Sequence, residues 1–192
     1  HSYCKFGFMS EKISINPVVL KGERVLLKPV SLDGLGDFHE YSMYKELYDH
    51  FEFSEFKDIS ESREYLKKMI NRSESSEQQF WFIEEIQSKK VIGSFGVHSL
   101  DEYRGSVEIG YGLSPHYWGK GYFQEAADII LGYIFNSLFL HRVVARTSKS
   151  NQASVKALEK IGFKLEGVMK DYYRKHDGQW FDAVLMAKLS KN

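Results

Sequence analysis

The stretch GLSPHYWGKGYFQEA, residues 112–126, limits the folds open to this chain more than any other segment. It follows strand-forming residues and ends in helix-forming ones, so it predicts a strand, a turn and a helix in succession. Gly119 and Gly121 in the turn are destabilising unless the backbone must approach another group closely. The first amides of a helix lack acceptors and attract anions, and Lys120 adds a positive charge. The stretch therefore predicts a binding site for a phosphorylated ligand.

Two well-known phosphate-binding motifs do not match this turn. A dinucleotide-binding fingerprint requires a third glycine where the chain has Gln124, and it opens the first unit of a parallel sheet. A P-loop requires serine or threonine directly after its lysine, where the chain has Gly121. The simpler alternative, that the glycines only shape a tight turn, stays open on the loop alone.

The rest of the chain predicts a mixed sheet with several helices. Helices are expected at 32–48, 60–73, 122–138 and 151–162, and strands at 23–30, 79–86, 90–100, 105–113, 141–148, 163–175 and 179–189. The second to fourth strands follow one another through short turns, which favours an antiparallel meander. Asp177-Gly178 predicts a hairpin between the last two strands. The expected fold class is α/β, with a mostly antiparallel α+β mixed sheet around the central strand–loop–helix unit.

Charge and hydropathy exclude several classes of protein. Lys plus Arg total 26, as do Asp plus Glu, so no overall charge attracts nucleic acid or an anionic membrane. No apolar run approaches the ~20 residues of a membrane span. The one cysteine, Cys4, excludes an internal disulfide and a cysteine-based metal cage, and the histidines lack ligand spacing, so no metal is expected. These features favour a reducing cytoplasm.

The length of 192 residues fits a single domain. We expect this domain at 20–190, after an N-terminal extension at 1–19. The opening residues HSYCKFGF lack the apolar core of a secretory signal and are compatible with an expression remnant ahead of Met9.

Three blocks of sequence, in this order, resemble the GNAT acetyltransferase superfamily, specifically its RimJ/RimL-like branch, which acetylates protein N-termini. The blocks are YGLSPHYWGKGYFQEA, NSLFLHRVVARTSKSNQASVKALEKIGFKLEG and GQWFDAVLMAKL. The resemblance spans residues 20–190 and implies the GNAT acyl-CoA N-acyltransferase fold. The family motif Gln/Arg-x-x-Gly-x-Gly/Ala aligns with Trp118 to Phe123, where Trp118 replaces Gln/Arg and Phe123 replaces a small residue. The resemblance implies that this loop binds the pyrophosphate of coenzyme A.

The resemblance also implies which residues contact acetyl-CoA. The backbone amide near Leu113 polarises the thioester carbonyl, Asn151 contacts the cofactor arm, and Lys156 reaches a phosphate. Asn151 is equally a favoured helix N-cap, and helix lysines are commonly only solvated, so both alternatives stay open. The implied cofactor contacts are Leu113, Trp118, Gly119, Lys120, Gly121, Tyr122, Phe123, Asn151 and Lys156.

Glu108 is the predicted general base. Alternation along VEIGYGL places Glu108 on one strand face together with Gly110 and Gly112. Glycines weaken a strand unless something passes close to them, so Glu108 faces a cleared surface where a substrate can lie. The resemblance implies that a glutamate on this strand acts as base through water. A solvated strand face is the alternative.

Ser154 and Tyr173 are the predicted proton donors to the CoA thiolate. The resemblance places Ser154 near the sulfur, while plain helix capping is its alternative role. A tyrosine with a pKa of about 10 protonates a thiolate only if it is held close to it. Alternation lets one of Tyr172 and Tyr173 face the site, and we select Tyr173, with packing as the alternative. An ion pair or a hairpin contact is expected for Asp182.

The sequence thus predicts an acetyl-CoA-dependent N-acetyltransferase in which an amine attacks the thioester directly. The favoured acceptor is the N-terminal α-amine of a ribosomal or other protein, because its pKa of about 8 leaves a sizeable fraction neutral. The region 32–60 and the final hairpin are expected to form the acceptor groove. A small amine (antibiotic, polyamine or amino acid) and a non-catalytic acyl-CoA sensor are the alternatives. Dimers are common in the family, which leaves a homodimer open.

Overall fold

The structure is a computed structural model that describes residues 12–191. These residues form eight strands and four α-helices. The strands are β1 (Leu20–Lys21), β2 (Val25–Pro29), β3 (Gln79–Glu85), β4 (Val91–Asp101), β5 (Ser106–Leu113), β6 (Arg142–Ser148), β7 (Lys164–Arg174) and β8 (Trp180–Leu189). The helices are α1 (Leu35–Ser42), α2 (Ile59–Ser73), α3 (Tyr122–Gly132) and α4 (Gln152–Lys160). Cys4 and Met9, in the predicted extension, lie outside the described residues.

The described strands form one sheet in the order β1-β2-β3-β4-β5-β6-β8-β7. Neighbouring strands are antiparallel, except that β5 and β6 run parallel. β3, β4 and β5 form the predicted meander, with Trp81 opposite Phe95 and Phe95 opposite Tyr111. This topology confirms the predicted α/β fold class with a mixed, mostly antiparallel sheet.

β5 and β6 pair over only part of their length. Their parallel ladder ends where Ile109 lies opposite Ala145. Beyond this point β5 continues beside β4 as far as Leu113, and β6 continues beside β8 as far as Ser148. The two strands therefore separate and leave an opening in the middle of the sheet, which we name the β5–β6 cleft. Each side of this cleft is a backbone edge that no described strand pairs with.

Different helices cover the two faces of the sheet. Along β3, Trp81 and Ile83 belong to the hydrophobic core that includes α3 and α4. Phe80 and Phe82 alternate with them and belong to a second core with α1 and α2. β5 follows the same rule: its buried residues Val107, Ile109 and Leu113 lie in the α3–α4 core. The intervening positions of β5, with Glu108 among them, therefore face the α1–α2 side.

The segment predicted as one helix at 32–48 is divided in the structure. A 3₁₀ turn at Leu32–Gly34 precedes α1, and a second 3₁₀ turn at Lys45–Tyr48 follows it. The Ser42 carbonyl at the end of α1 accepts a hydrogen bond from the Phe56 amide at 3.1 Å. The last carbonyl of α1 is thus paired with a segment further along the chain, and helical periodicity alone does not reveal such a contact.

α3 is shorter than the helix predicted at 122–138. It ends at Gly132 and is followed by a π-helical turn at Tyr133–Ser137. Its buried residues Ala126, Ala127, Ile130 and Leu131 nevertheless keep the predicted helical spacing. Neither α3 nor any other helix within residues 12–191 is long and apolar enough to span a membrane.

Residues 12–19, which belong to the predicted extension, pack on the α3–α4 core. Ile15 is only 1% exposed, and the Trp81 indole donates a hydrogen bond to the Val18 carbonyl at 2.7 Å. The domain limits of 20–190 stay a prediction.

Candidate active site

The predicted glycine turn joins β5 to α3 and requires both of its glycines. Gly119 has a φ of 71° and Gly121 a φ of 83°, which residues with a Cβ rarely adopt. The amides of Tyr122, Phe123 and Gln124, in the first turn of α3, find no acceptor of normal hydrogen-bond geometry within residues 12–191. These amides lie at the positive end of the helix dipole, which suits the anion that the sequence predicts.

Aromatic side chains hold this turn in place. The Trp118 indole donates to the Leu113 carbonyl at 2.7 Å and so ties the turn back to the end of β5. The Tyr117 ring packs edge-to-face on Tyr122, with the centroids 5.4 Å apart. Lys120 Nζ lies 5.7 Å from the Tyr117 ring centroid, and Lys120 is exposed. The lysine charge is therefore available to a ligand beside the amides.

Asn151 and Ser154 begin α4 on the far side of the β5–β6 cleft. The Asn151 side chain accepts a hydrogen bond from the Ser154 amide at 3.1 Å, which confirms that Asn151 is the N-cap. The Ser154 hydroxyl is hydrogen-bonded to the hydroxyl of Tyr111 on β5 at 2.7 Å. This bond crosses the cleft. Lys156 on the same helix is exposed, and its phosphate contact stays a prediction.

Tyr111 is held between aromatic rings on the α3 side of the sheet. Its ring centroid lies 4.3 Å from that of Phe123 and 5.7 Å from that of Phe95. Burial raises the pKa of Tyr111 to about 12, although the hydrogen bond with Ser154 opposes the shift. Tyr111 therefore stays protonated near neutral pH and can fix the Ser154 hydroxyl. Phe123, which replaces the small residue of the family motif, packs inward in this aromatic group and leaves the turn unobstructed.

Glu108 lies on the opposite face of β5 in an ion pair with Arg146 of β6. The distance between Glu108 Oε2 and Arg146 Nη2 is 2.9 Å, and the glutamate side chain is 13% exposed. Burial raises the pKa of Glu108, and the charge of Arg146 opposes this shift. The net result is a carboxylate with a higher proton affinity than an ordinary glutamate, which suits a general base.

Both tyrosines of the final hairpin lie beside the Glu108–Arg146 pair. The Arg146 guanidinium donates to the Tyr172 hydroxyl at 2.6 Å, and Tyr172 packs edge-to-face on Tyr173 at 4.9 Å. Burial raises the pKa of Tyr173 to about 12, with smaller contributions from Tyr172 and Glu108. The register of β7 against β8 shifts between Met169 and Tyr173. The strict alternation that predicted only one tyrosine at the site does not hold across this irregularity.

The aromatic segment 44–56 bridges the surrounding elements. The Glu52 carboxylate accepts a hydrogen bond from the Arg174 amide at 3.0 Å, and His50 Nδ1 is hydrogen-bonded to Ser150 Oγ at 3.2 Å. The segment therefore contacts both the final hairpin and the turn that precedes α4. The sequence predicts an acceptor groove from the region 32–60 and the final hairpin, and the Glu52–Arg174 hydrogen bond joins these two parts.

Three residues at the site, Arg146, Tyr111 and His98, carry no sequence motif that predicts them. His98 lies opposite Glu108 in the β4–β5 register, with Nε2 3.6 Å from the position that a Cβ on Gly110 would occupy. Burial, together with nearby positive charges, lowers the pKa of His98 to about 4. A neutral imidazole therefore lies beside the β5 face that carries Glu108 and Gly110. Alternation along β4 could have indicated His98, but only with the register of its pairing known.

Asp182 forms the ion pair expected for it. Its carboxylate lies 2.9 Å from Lys170 Nζ and accepts a hydrogen bond from the Asp171 amide at 3.2 Å. The hydrogen bonds from Lys170 and Asp171 lower the pKa of Asp182. Among the residues that the structure describes, no group of three or more His, Cys, Asp or Glu side chains is placed to hold a metal ion.

Residues 24–164 match the family model described as the acetyltransferase (GNAT) domain, and the chain belongs to this family. It is 29% identical over 169 residues to the N-acetyltransferase p20 of Bacillus licheniformis, an alignment that covers 88% of this chain and 94% of that one. It is 32% identical over 123 residues to the [ribosomal protein uS5]-alanine N-acetyltransferase of Escherichia coli, covering 62% of each chain. The solved structure of a GNAT-family acetyltransferase from Bacillus anthracis matches with a TM-score of 0.79 and 25% identity, covering 91% of this chain and 100% of that one.

The protein is therefore an N-acetyltransferase of the GNAT type, and its acyl donor is acetyl-CoA. The fold, the enzyme class and the donor implied by the sequence resemblance are confirmed.

Proposed function

We propose that this N-acetyltransferase acetylates the N-terminal α-amine of a protein, with a ribosomal protein as the favoured acceptor. The observation that carries the proposal is the β5–β6 cleft, which has Ser154 on its α4 side and Glu108 on the opposite face of the sheet. A thioester in this cleft is supplied from one face and attacked from the other. The similarity to the uS5-alanine enzyme supports this class of acceptor.

The donor half of the site consists of the glycine turn and the start of α4. The amides of residues 122–124 and the charge of Lys120 bind the pyrophosphate, and Asn151 and Lys156 contact the rest of the cofactor arm. The unpaired edge of β5 offers backbone hydrogen bonds to the pantetheine. This path brings the thioester carbonyl to the amide near Leu113, which polarises it.

The acceptor half of the site is the face that carries Glu108. Glu108 takes the proton that the attacking amine loses, directly or through one water. The amine nitrogen bonds to the thioester carbonyl carbon, and the tetrahedral intermediate then breaks its bond to sulfur. An α-amine, with a pKa of about 8, needs only a modest base, whereas a lysine amine near 10.4 needs a stronger one.

The CoA thiolate leaves as the anion, stabilised by a hydrogen bond from Ser154, and it then takes up a proton from solvent. Tyr111 holds the Ser154 hydroxyl in position through the 2.7 Å hydrogen bond. Tyr173 is the second predicted proton donor. Because its pKa of about 12 exceeds the ~8.5 of a thiol, complete proton transfer from Tyr173 is unfavourable. We therefore assign Tyr173 hydrogen-bond donation within the site rather than net acid catalysis.

The Tyr111–Ser154 bond predicts a specific pattern of rate losses. Ser154→Ala is expected to lower kcat by about 10²-fold, the usual effect of removing one hydrogen-bond donor to a group that gains negative charge in the transition state. Tyr111→Phe is expected to lower kcat by about tenfold, because the serine hydroxyl is then free to rotate away. Steady-state kinetics should show the KM for acetyl-CoA changed by less than about twofold in both variants. The double variant should be no slower than Ser154→Ala, and fully additive losses would show that Tyr111 acts independently.

The raised pKa of Glu108 predicts a two-stage pH profile. As pH falls below about 8, log kcat/KM should decrease with a slope of one because the acceptor amine becomes protonated. The slope should reach two where Glu108 also takes up a proton, at a pH above the ordinary glutamate value of 4.5 because burial raises the pKa of Glu108. Arg146→Gln removes the opposing charge and should move this change to higher pH. A slope of one throughout would contradict the assignment of Glu108.

A panel of acceptors tests the proposed function. Thiol release from acetyl-CoA is measured with short peptides that differ at the N-terminus, and with spermidine, an aminoglycoside and free amino acids, using the Cys4→Ser protein to remove the internal thiol. The proposal predicts turnover with one class of peptide and none with the same peptide blocked at its α-amine. Turnover only with a small amine would replace the proposed acceptor. Tight CoA binding without turnover on any acceptor would favour a sensor.

A further inference from the structure

The turn between β1 and β2 lies against the glycine turn that starts α3, although the two are about a hundred residues apart in the chain. Three donors from this turn reach the carboxylate of Glu125 in the first turn of α3. The Arg24 amide lies 2.7 Å and the Val25 amide 3.2 Å from Oε1, and Arg24 Nε lies 2.9 Å from Oε2. Although burial opposes the shift, these hydrogen bonds lower the pKa of Glu125, so it stays ionised.

The same arginine reaches the glycine turn itself. Arg24 Nη1 donates to the Lys120 carbonyl at 2.9 Å, and the guanidinium carbon lies 4.6 Å from the centroid of the Tyr122 ring. A Cβ on Gly121 would lie 3.1 Å from Arg24 Nη2, so the missing side chain at Gly121 makes room for the guanidinium. Arg24 thus contacts the glycine turn at three places: the Lys120 carbonyl, the Tyr122 ring and Gly121.

The bond to the Lys120 carbonyl has a consequence for the neighbouring amide. In a trans peptide the carbonyl and the N–H point in opposite directions. With its carbonyl held by Arg24, the peptide that joins Lys120 to Gly121 directs its N–H away from Arg24. Glu125 fixes the arginine through both its backbone and its side chain. The orientation of the turn is therefore set before any ligand arrives.

We propose that Arg24 is a positioning residue for acetyl-CoA: locked by Glu125, it fixes the Lys120 carbonyl and thereby directs the Gly121 amide to the pyrophosphate, beside the amides of residues 122–124. This inference rests on the proposed binding of the pyrophosphate at the glycine turn. Arginine suits the role because its planar guanidinium forms several directed hydrogen bonds at once, to the carboxylate and to the carbonyl. A lysine at this position carries the same charge but cannot make both contacts from one nitrogen in this geometry.

A comparison of two acyl donors, acetyl-CoA and S-acetylpantetheine, distinguishes this positioning role from a general effect on folding. S-acetylpantetheine carries the thioester but no pyrophosphate, so its reaction does not depend on the glycine turn. Arg24→Lys and Arg24→Gln are both expected to raise the KM for acetyl-CoA about tenfold or more, the usual effect of removing hydrogen bonds of a charged group, with kcat nearly unchanged. Both variants should use S-acetylpantetheine as well as the unaltered enzyme does. Arg104→Gln, which removes an exposed arginine paired with Asp101, is the matched control. It should change neither kcat nor KM for either acyl donor.

Each result that would contradict the positioning role of Arg24 differs from the others in which variant and which acyl donor it affects. If Arg24→Lys keeps the acetyl-CoA KM of the unaltered enzyme while Arg24→Gln does not, Arg24 contributes only charge and the positioning role is wrong. If both variants lose activity equally with both donors, Arg24 is merely structural. If the unaltered enzyme itself does not distinguish acetyl-CoA from S-acetylpantetheine by KM, the pyrophosphate site at the glycine turn is wrong.

Discussion

Gly121→Glu is expected to weaken coenzyme A binding by at least about 100-fold. The substitution places a negative charge at the amides that are proposed to bind the pyrophosphate, where like charges a few ångströms apart repel by several kcal/mol. It also adds a Cβ where φ is 83°, which costs about 1–2 kcal/mol for a residue other than glycine, and where Arg24 Nη2 would lie 3.1 Å away. Titration calorimetry with CoA measures the loss.

Gly121→Gln is the matched control for that change. It shares the size and the backbone strain of glutamate but not its charge, so we expect a loss of only about tenfold. The difference between the two variants then isolates the charge at the site. Thermal unfolding of both proteins shows whether the strain alone has damaged the fold. Unchanged CoA affinity in Gly121→Glu would mean that the pyrophosphate binds elsewhere.

Glu108→Gln is expected to lower kcat by about 10²–10³-fold while leaving the KM for acetyl-CoA within about twofold. Glutamine keeps the size of the side chain and can still accept a hydrogen bond from Arg146, but it cannot take up the proton of the amine. The donor half of the site lies on the other face of β5 and is not altered. Steady-state kinetics with a peptide acceptor and with acetyl-CoA varied in turn separates the two effects.

Glu166→Gln is the control for Glu108→Gln. Glu166 on β7 pairs with Arg142 on β6, an ion pair of the same type on the same sheet but away from the cleft. Its substitution should leave kcat unchanged. If Glu108→Gln also turns over at the normal rate, the base is a different group, and His98, opposite Glu108 on β4, is the next residue to test.

The elements that depend on local sequence could be predicted. The positive φ angles of Gly119 and Gly121 follow from the need to turn from a strand into a helix, and the Asn151 cap follows from its place before α4. The hairpin at Asp177-Gly178 is equally local, and Gly178 has the expected positive φ of 85°. In each case a few neighbouring residues determine the geometry.

The parts of the site that join distant strands could not be predicted in this way. The Glu108–Arg146 pair requires β5 and β6 to lie side by side in parallel, and the cleft requires them to separate after Ile109. The sequence of β5 or β6 alone reveals neither the pairing register nor the point at which the two strands separate. The contact between Arg24 and Glu125 is similar, because it depends on how the β1–β2 turn packs against α3.

A crystal structure with CoA and a peptide bearing a free N-terminal alanine would show whether donor and acceptor meet in the β5–β6 cleft from opposite faces of the sheet. We expect the pyrophosphate at the amides of residues 122–124 and the sulfur within hydrogen-bond distance of Ser154 Oγ. The α-amine should lie on the opposite face within reach of Glu108, directly or through one water. CoA bound away from the glycine turn, or a peptide amine on the same face as Ser154, would contradict it.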